Sequence, residues 1–273
     1  MIAPFKEIYW YLDLPIRSFR RLGRIILIAC HDMGNALLML FSATLYIRTI
    51  WRPRARREVI QQLYVTGIKS LGVITVVAMF TGMILALQTG LELRRYGQEE
   101  FIGSAVAVSM IREMGPFMTA LIIAASVGSA FAAQLGTMAV SEEISALEVM
   151  SINPNRFLVM PRLVALVLMM PILTVYTNIL GILGGGIVGS TQLGVAFQAY
   201  LDNATRYAEN KDLYVGLFKA AVFGVIIATV ACYQGLNTTE GAVGVGRATR
   251  QTVITSFLMI LIIGYMITRL FYI

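Results

Sequence analysis

Two adjacent charged residues, Arg112 and Glu113, lie within an apolar stretch of the sequence and are followed by Gly115 and Pro116. Burying either charge in hydrocarbon costs at least about 2.5 to 3.5 kcal/mol, so each side chain should face protein or water. Adjacent helical residues point about 100° apart, so the two charges should not simply neutralise one another. They could form an ion pair with another helix, or they could line a cavity that receives a charged substrate.

Pro116 should break the helix that carries this pair. Proline has no amide hydrogen, so the carbonyl oxygen of Arg112, four residues earlier, should lose its helical donor. Counting about 1.5 Å per residue from Phe101 places Arg112 roughly 16 to 18 Å below the outer edge of the membrane, near its middle. A broken helix is tolerated at that depth where it lines a cavity. The charges and the helix break are therefore expected at one level.

The composition places these residues in a membrane protein. The chain has 273 residues, of which 58% are hydrophobic and 14% charged, unlike an ordinary soluble domain. Its apolar stretches are long enough for helices to cross about 30 Å of hydrocarbon, and none alternates like a barrel strand. We predict an all-α integral membrane protein with about five transmembrane helices. These spans are predicted at residues 71–91, 163–188, 217–234 and 252–270 and within residues 101–138, where a short outer helix should lead into a broken span.

Residues that build common catalytic or metal sites are scarce. The chain has one histidine, His31, and two distant cysteines, Cys30 and Cys232. No metalloprotease, nucleophile-elbow or nucleotide-binding loop motif occurs in the sequence. We therefore expect no enzyme activity, no metal and no cofactor in this chain. If transport requires ATP, a separate subunit should hydrolyse it.

The net charge of +7 is concentrated near the N-terminus rather than on a nucleic-acid-binding motif. Four arginines recur at helical spacing between residues 17 and 24, and a second cluster lies at residues 48–57. Such clusters favour the cytoplasmic side of a membrane. We interpret residues 1–60 as a basic amphipathic interfacial region and residues 61–273 as the transmembrane domain. The N-terminus is expected inside and the C-terminus outside.

Two short helices and two small-residue faces are expected between and within the spans. A cytoplasmic helix at residues 142–150 combines acids with an apolar face, which suits either a solvated loop or docking onto a soluble partner. A small periplasmic helix is expected in the polar segment before residue 213. Small residues recur every four positions at 181–189 and at 124–136, a pattern that lets helix backbones approach closely. Packing within one subunit is favoured over a dimer contact for both faces.

Three sequence blocks resemble those of the MlaE/YrbE family, the permease subunits of ABC transporters that work with MCE proteins. They are "REMGP" at residues 112–116, "EEISALEVMSINPNRFLVMPR" at residues 142–162 and "GAVGVGRATRQTV" at residues 241–253. The similarity covers residues 61–273, with the blocks in the same order. The first sixty residues are similar only in being an amphipathic inner-leaflet segment.

The resemblance implies a permease subunit in the bacterial inner membrane that moves phospholipid and contributes to outer-membrane lipid asymmetry. The implied partners are a second copy of the chain, a cytoplasmic ABC ATPase, a periplasmic MCE ring and, in some systems, a STAS-domain regulator. The lipid-contacting positions carried over from the family are Leu85, Gln88, Tyr96, Arg112 and Glu113. The positions carried over for ATPase coupling are Glu142, Glu143, Leu147, Glu148 and Met150.

Two other functions fit parts of the sequence. An ion- or proton-coupled transporter could use Glu113 as its titrating group, although such proteins usually carry a relay of further intramembrane acids. Alternatively, the chain could only anchor an MCE ring, with its charges serving assembly. Activity without an ATPase would favour the first alternative, and an intact complex that loses transport when Glu148 is disrupted would oppose the second.

Overall fold

The computed structural model of the protein describes Leu27, residues 30–51 and residues 53–273, and every regular element in these ranges is helical. The basic stripe at residues 17–24 lies outside them. The helices are α1 (residues 30–45), α2 (Pro53–Thr66), α3 (Leu71–Arg95), α4 (Ile102–Ser109), α5 (Gly115–Ile123), α6 (Ser129–Val140), α7 (Glu143–Val149), α8 (Met160–Thr191), α9 (Phe197–Arg206), α10 (Asn210–Leu236) and α11 (Gly241–Tyr272).

Five helical segments in the described ranges are long and apolar enough to cross a membrane. They cover Ala55–Arg95, Glu99–Val140, Asn155–Thr191, Asn210–Leu236 and Gly241–Tyr272. The all-α membrane fold and the number of spans are therefore confirmed. Each segment is longer than predicted, because the helix continues past the apolar stretch into polar residues that hydropathy alone does not include.

The second span is a single helical path rather than a broken one, so the helix break predicted at Pro116 is wrong. A π-helical turn at Met110–Met114 precedes the proline, and the amide of Gly115 donates to the carbonyl oxygen of Met110, five residues earlier. A second π-helical turn, Ala124–Gly128, joins α5 to α6. The wider turn accommodates the proline ring without interrupting the helix.

Glycines bring the helices into close contact within the chain, as predicted. A β-carbon on Gly82 of α3 would overlap the backbone of Gly181 on α8, so the two helices touch through their main chains. Gly185 and Gly189 of α8 lie against the ring of Tyr200 from α9. In the other small-residue face, Gly128 contacts Ile227 and Thr252, and Gly136 contacts Thr238. Dispersion contacts at these crossings replace the hydrophobic effect that is weak between helices in lipid.

The two connecting helices α7 and α9 lie at opposite ends of the bundle and define its two ends. At the α9 end, Tyr200 is fully buried in a cluster that includes Met110 of the second span. Burial raises the pKa of the Tyr200 hydroxyl, which therefore stays neutral. The α7 end carries the predicted short helix and also α1, where the Asn155 side chain donates to the hydroxyl of Ser42 at 2.8 Å. An interfacial position for α1 stays a prediction.

Candidate functional site

Arg112 forms a buried ion pair with α10. Its Nε donates to Oδ1 of Asp212 at 2.6 Å, and the hydroxyl of Tyr272, from α11, donates to the same oxygen at 2.7 Å. The guanidinium carbon also lies 4.7 Å from the centre of the Tyr272 ring. Asp212 is fully buried, whereas 36% of the Arg112 side chain is exposed. The arginine is therefore held by two helices and still presents part of its surface.

Glu113 forms a second ion pair, one layer deeper along α10. Nζ of Lys219 lies 2.6 Å from Oε1 of Glu113, and the hydroxyl of Thr268 on α11 donates to that oxygen at 2.6 Å. Lys219 is 1% exposed and Glu113 is 42% exposed. The lysine also donates to the carbonyl oxygen of Arg112 at 2.9 Å. That oxygen is the one Pro116 should leave without a helical donor, and a side chain satisfies it.

The structure therefore shows the first of the two arrangements that the sequence allowed, an ion pair with another helix, for both charges. Four charged groups combine into a cluster with no net charge, which greatly lowers the cost of placing them between helices. The exposed parts of Arg112 and Glu113 nevertheless remain available to a ligand. Contact with a lipid headgroup stays a prediction.

The neighbouring helices end at different levels relative to the charged pair. Asp212 is the third residue of α10 and Tyr272 is the last residue of α11, so Arg112 lies level with the ends of these two helices. Met110 instead contacts Gly181, ten residues before the end of α8 at Thr191. Counting along one helix therefore placed Arg112 near the middle of the membrane. At the α9 end, α8 therefore extends further than α10 and α11 do.

The other three predicted lipid-contacting positions lie on or just after α3. Leu85 is half-buried and packs against the cluster that contains Met110. Gln88 is exposed, and Tyr96, which follows the helix, is 76% exposed. Among the described residues, no hydrogen bond joins any of these three side chains to Arg112 or Glu113. The structure thus places Leu85 on the Met110 cluster and leaves Gln88, on α3, and Tyr96, just after it, exposed.

The predicted coupling residues lie on and beside α7. Glu142, Glu143, Glu148 and Met150 are exposed, whereas Leu147 is half-buried and packs, with Ile144, against the main hydrophobic core. Leu147 therefore attaches the helix to its own bundle. The exposed surface combines three acids with Met150 and with Val149, whose side chain is 87% exposed.

Sequence reasoning missed four residues of the site: Asp212, Lys219, Thr268 and Tyr272. Lys219 could have been found, because it is the one charged residue within the predicted span at residues 217–234 and is opposite in charge to Glu113. Asp212 falls in a segment that reads as an ordinary polar loop. No sequence signal distinguishes Thr268 or Tyr272 from other helical residues near the C-terminus.

Comparison with known proteins gives a consistent family. The model of the family described as "Permease MlaE" matches residues 59–270. A probable ABC transporter permease protein from Rickettsia conorii is 40% identical over 242 residues, which are 88% of this chain and 92% of that protein. The intermembrane phospholipid transport system permease protein MlaE of Haemophilus influenzae is 32% identical, covering 92% of this chain and 96% of the relative. The chloroplastic protein TRIGALACTOSYLDIACYLGLYCEROL 1 of Arabidopsis thaliana is 36% identical, covering 79% of this chain and 62% of the relative.

The family match covers three of the five spans entirely and most of the other two, and it includes both ion pairs and the α7 segment. With a family model over residues 59–270 and relatives at 32–40% identity across most of their length, this chain belongs to the MlaE permease family.

Proposed function

We propose that this chain is the membrane subunit of an ABC transporter that moves phospholipid between the inner membrane and a periplasmic MCE protein. A separate cytoplasmic subunit hydrolyses the ATP, two copies of the chain act together, and the transfer contributes to outer-membrane lipid asymmetry. The family match and the name of the Haemophilus influenzae relative support the phospholipid cargo. The observation that carries the proposal is a partly exposed charged pair held beside an apolar cluster at the α9 end.

This arrangement suits an amphiphile. A phospholipid needs apolar surface for its acyl chains and a cation for its phosphate. The guanidinium of Arg112 has five N–H donors, and Asp212 accepts from the one on Nε. Donors on the exposed part of the group therefore remain for a phosphate. Asp212 and Tyr272 hold the arginine in place, so little side-chain freedom is lost on binding.

Energy from the ATPase is proposed to enter through α7. The exposed acids Glu142, Glu143 and Glu148, together with Met150, form a surface that fits a groove with basic edges and an apolar floor. Leu147 packs this helix against the main core, so a displacement of α7 is transmitted directly to the spans.

The function is tested by purifying the chain from its native membrane and reconstituting it. We expect it to carry with it an ABC ATPase, an MCE protein and phospholipid, and to transfer fluorescent phospholipid to the MCE protein only with ATP. Transfer that needs no ATPase and follows a proton gradient would instead establish the coupled transporter. A complete complex that never transfers lipid would establish the scaffold.

Replacing Arg112 with glutamine tests the proposed phosphate contact. We expect photo-crosslinking to phospholipid to fall about tenfold, since a charge-assisted hydrogen bond contributes about 1.5 to 3 kcal/mol. The single variant also leaves Asp212 buried without its cation. The double variant Arg112→Gln with Asp212→Asn removes both charges and serves as the control. Crosslinking that stays low in the double variant supports lipid contact, whereas recovery shows that Arg112 only braces the helix.

Reversing the charge of the exposed face of α7 tests the coupling surface. The variant Glu143→Lys with Glu148→Lys should reduce recovery of the ATPase with the chain about tenfold, because like charges across an interface weaken association. The fold should be unaffected, since both side chains are exposed. Glu100→Lys is the matched control, being an exposed acid at the opposite end of the bundle. Equal recovery with the double variant and this control would contradict the role of α7.

A further inference from the structure

Arg162 is a buried arginine at the α7 end of the bundle, and it is not part of the proposed lipid site. It is the third residue of α8 and is 6% exposed, so its guanidinium does not extend to water as arginines near membrane surfaces commonly do. Among the described residues, no carboxylate lies within ion-pair distance of it. Glu58 of α2 attracts the group only from further away, and its carboxylate accepts from Gln62 at 3.2 Å.

The contacts of Arg162 join two segments of the chain. Nη1 donates to the carbonyl oxygen of Leu158, in the π-helical turn that begins the third span, at 2.7 Å. Nη2 lies 3.4 Å from Oε1 of Gln134 on α6, and the guanidinium lies 5.4 Å from the centre of the Phe131 ring, also on α6. Nε has no acceptor among the described residues. One side chain thus connects the end of the second span to the start of the third.

These two ends flank α7. The connection from the second span to the third consists of residues 141–154, with α7 in its middle. Two non-glycine residues with left-handed backbone conformation bound α7, Glu142 with φ 60° and Ser151 with φ 59°. Such conformations are uncommon for side-chain-bearing residues and mark the points at which the chain turns sharply into and out of the helix. Among the described residues, Arg162 is the polar side chain that contacts both the end of the second span and the start of the third, on either side of α7.

A buried cation without an ion-pair partner is costly, so an apolar residue of similar length would make a more stable protein if packing were all that mattered. Methionine would fill the same space. The guanidinium adds a planar group that can bond two segments at once, which methionine cannot do.

We propose that Arg162 is a positioning residue that makes the α7-facing ends of α6 and α8 move as one unit when α7 is displaced. This inference rests on the proposed coupling role of α7. Without the contacts of Arg162, a displacement of α7 would separate the ends of α6 and α8. The movement would then not be transmitted to the lipid site. ATP hydrolysis would then continue while less lipid moved for each ATP.

The test measures a distance and a coupling ratio in the same complex. Spin labels are placed at Thr137 on α6 and Phe157 before α8, both exposed, after Cys30 and Cys232 are replaced by serine and alanine. The chain is assembled with its copurifying ATPase in lipid nanodiscs, nucleotide-free or trapped with ATP and vanadate. For the wild type we expect the distance within one copy to be narrow and the same in both states. In Arg162→Met it should broaden or shift on trapping.

Lipid transferred per ATP should fall about fivefold in Arg162→Met, with ATPase activity within about twofold of the wild type, the size of effect that residues linking two sites can have. Arg156→Met is the matched control, because Arg156 is an arginine in the π-helical turn that contains Leu158. It should change neither measurement. Unchanged distances in Arg162→Met would overturn the proposal, and so would ATPase activity and transfer that fall in equal proportion.

If Arg162→Met does not fold, the variant Gln134→Leu tests the proposal instead, since it removes the acceptor on α6 and keeps the bond to Leu158. It should broaden the distance on trapping, and an unchanged distance overturns the proposal. A wild-type complex that moves no lipid would refute the proposed function, yet the distances would still report on Arg162.

Discussion

Replacing Glu113 with leucine is expected to lower the free energy of unfolding by about 3 kcal/mol, because it leaves the ammonium of Lys219 buried without a carboxylate. Removing one partner of a buried ion pair commonly costs about 3 to 5 kcal/mol. The lower end applies here, since the carbonyl oxygen of Arg112 and the hydroxyl of Thr268 still contact the lysine. Reversible unfolding in mixed detergent micelles measures the change.

Truncating the other partner, Lys219, should lower the free energy of unfolding much less. Lys219→Met leaves Glu113, which is 42% exposed, within reach of water or a polar ligand, so we expect a loss of about 1 kcal/mol. The double variant Glu113→Leu with Lys219→Met should recover most of the stability, because an apolar pair of similar volume can replace a buried ion pair. A double variant whose loss equals the sum of the two single losses would show that the groups do not interact.

The features that the sequence predicted correctly are local ones. Five spans, the short helix α7 and glycine packing within the chain follow from hydropathy, acid placement and four-residue spacing, all of which operate over a few helical turns. The identity of the ion-pair partners is not local. Arg112 and Asp212 are 100 residues apart, and Glu113 and Lys219 are 106 apart. Only the packing of α10 against the second span determines which charges meet.

The error at Pro116 has a physical reason that a single helix cannot reveal. A proline removes one hydrogen bond, but the neighbouring chain decides whether the helix breaks or widens, and here Lys219 satisfies the carbonyl oxygen that Pro116 leaves. Depth counting assumes that all helices end at the same level. The ends of α10 and α11 lie beside Arg112 instead, so the pair is both within one span and at the end of two others.

The contact between Gly82 and Gly181 links the stability of the bundle to its proposed lipid site. Both residues belong to the crossing of α3 and α8, and α3 also carries Leu85, which packs against the cluster around Met110. At this crossing the neighbouring atoms are backbone, so no side-chain rotation can make room for a larger residue. Separating the helices would therefore move Leu85 relative to the cluster around Met110.

Gly82→Ala is accordingly expected to reduce the free energy of unfolding by about 3 kcal/mol, the upper end of the usual cost of overpacking. Lipid transfer should fall with it. Gly72→Ala in the same helix is the matched control, because a β-carbon there meets no atom within 4 Å. It should be neutral or stabilise by up to about 1 kcal/mol, since alanine favours the helix. If the two variants unfold at the same detergent concentration, main-chain contact between α3 and α8 does not hold the bundle together.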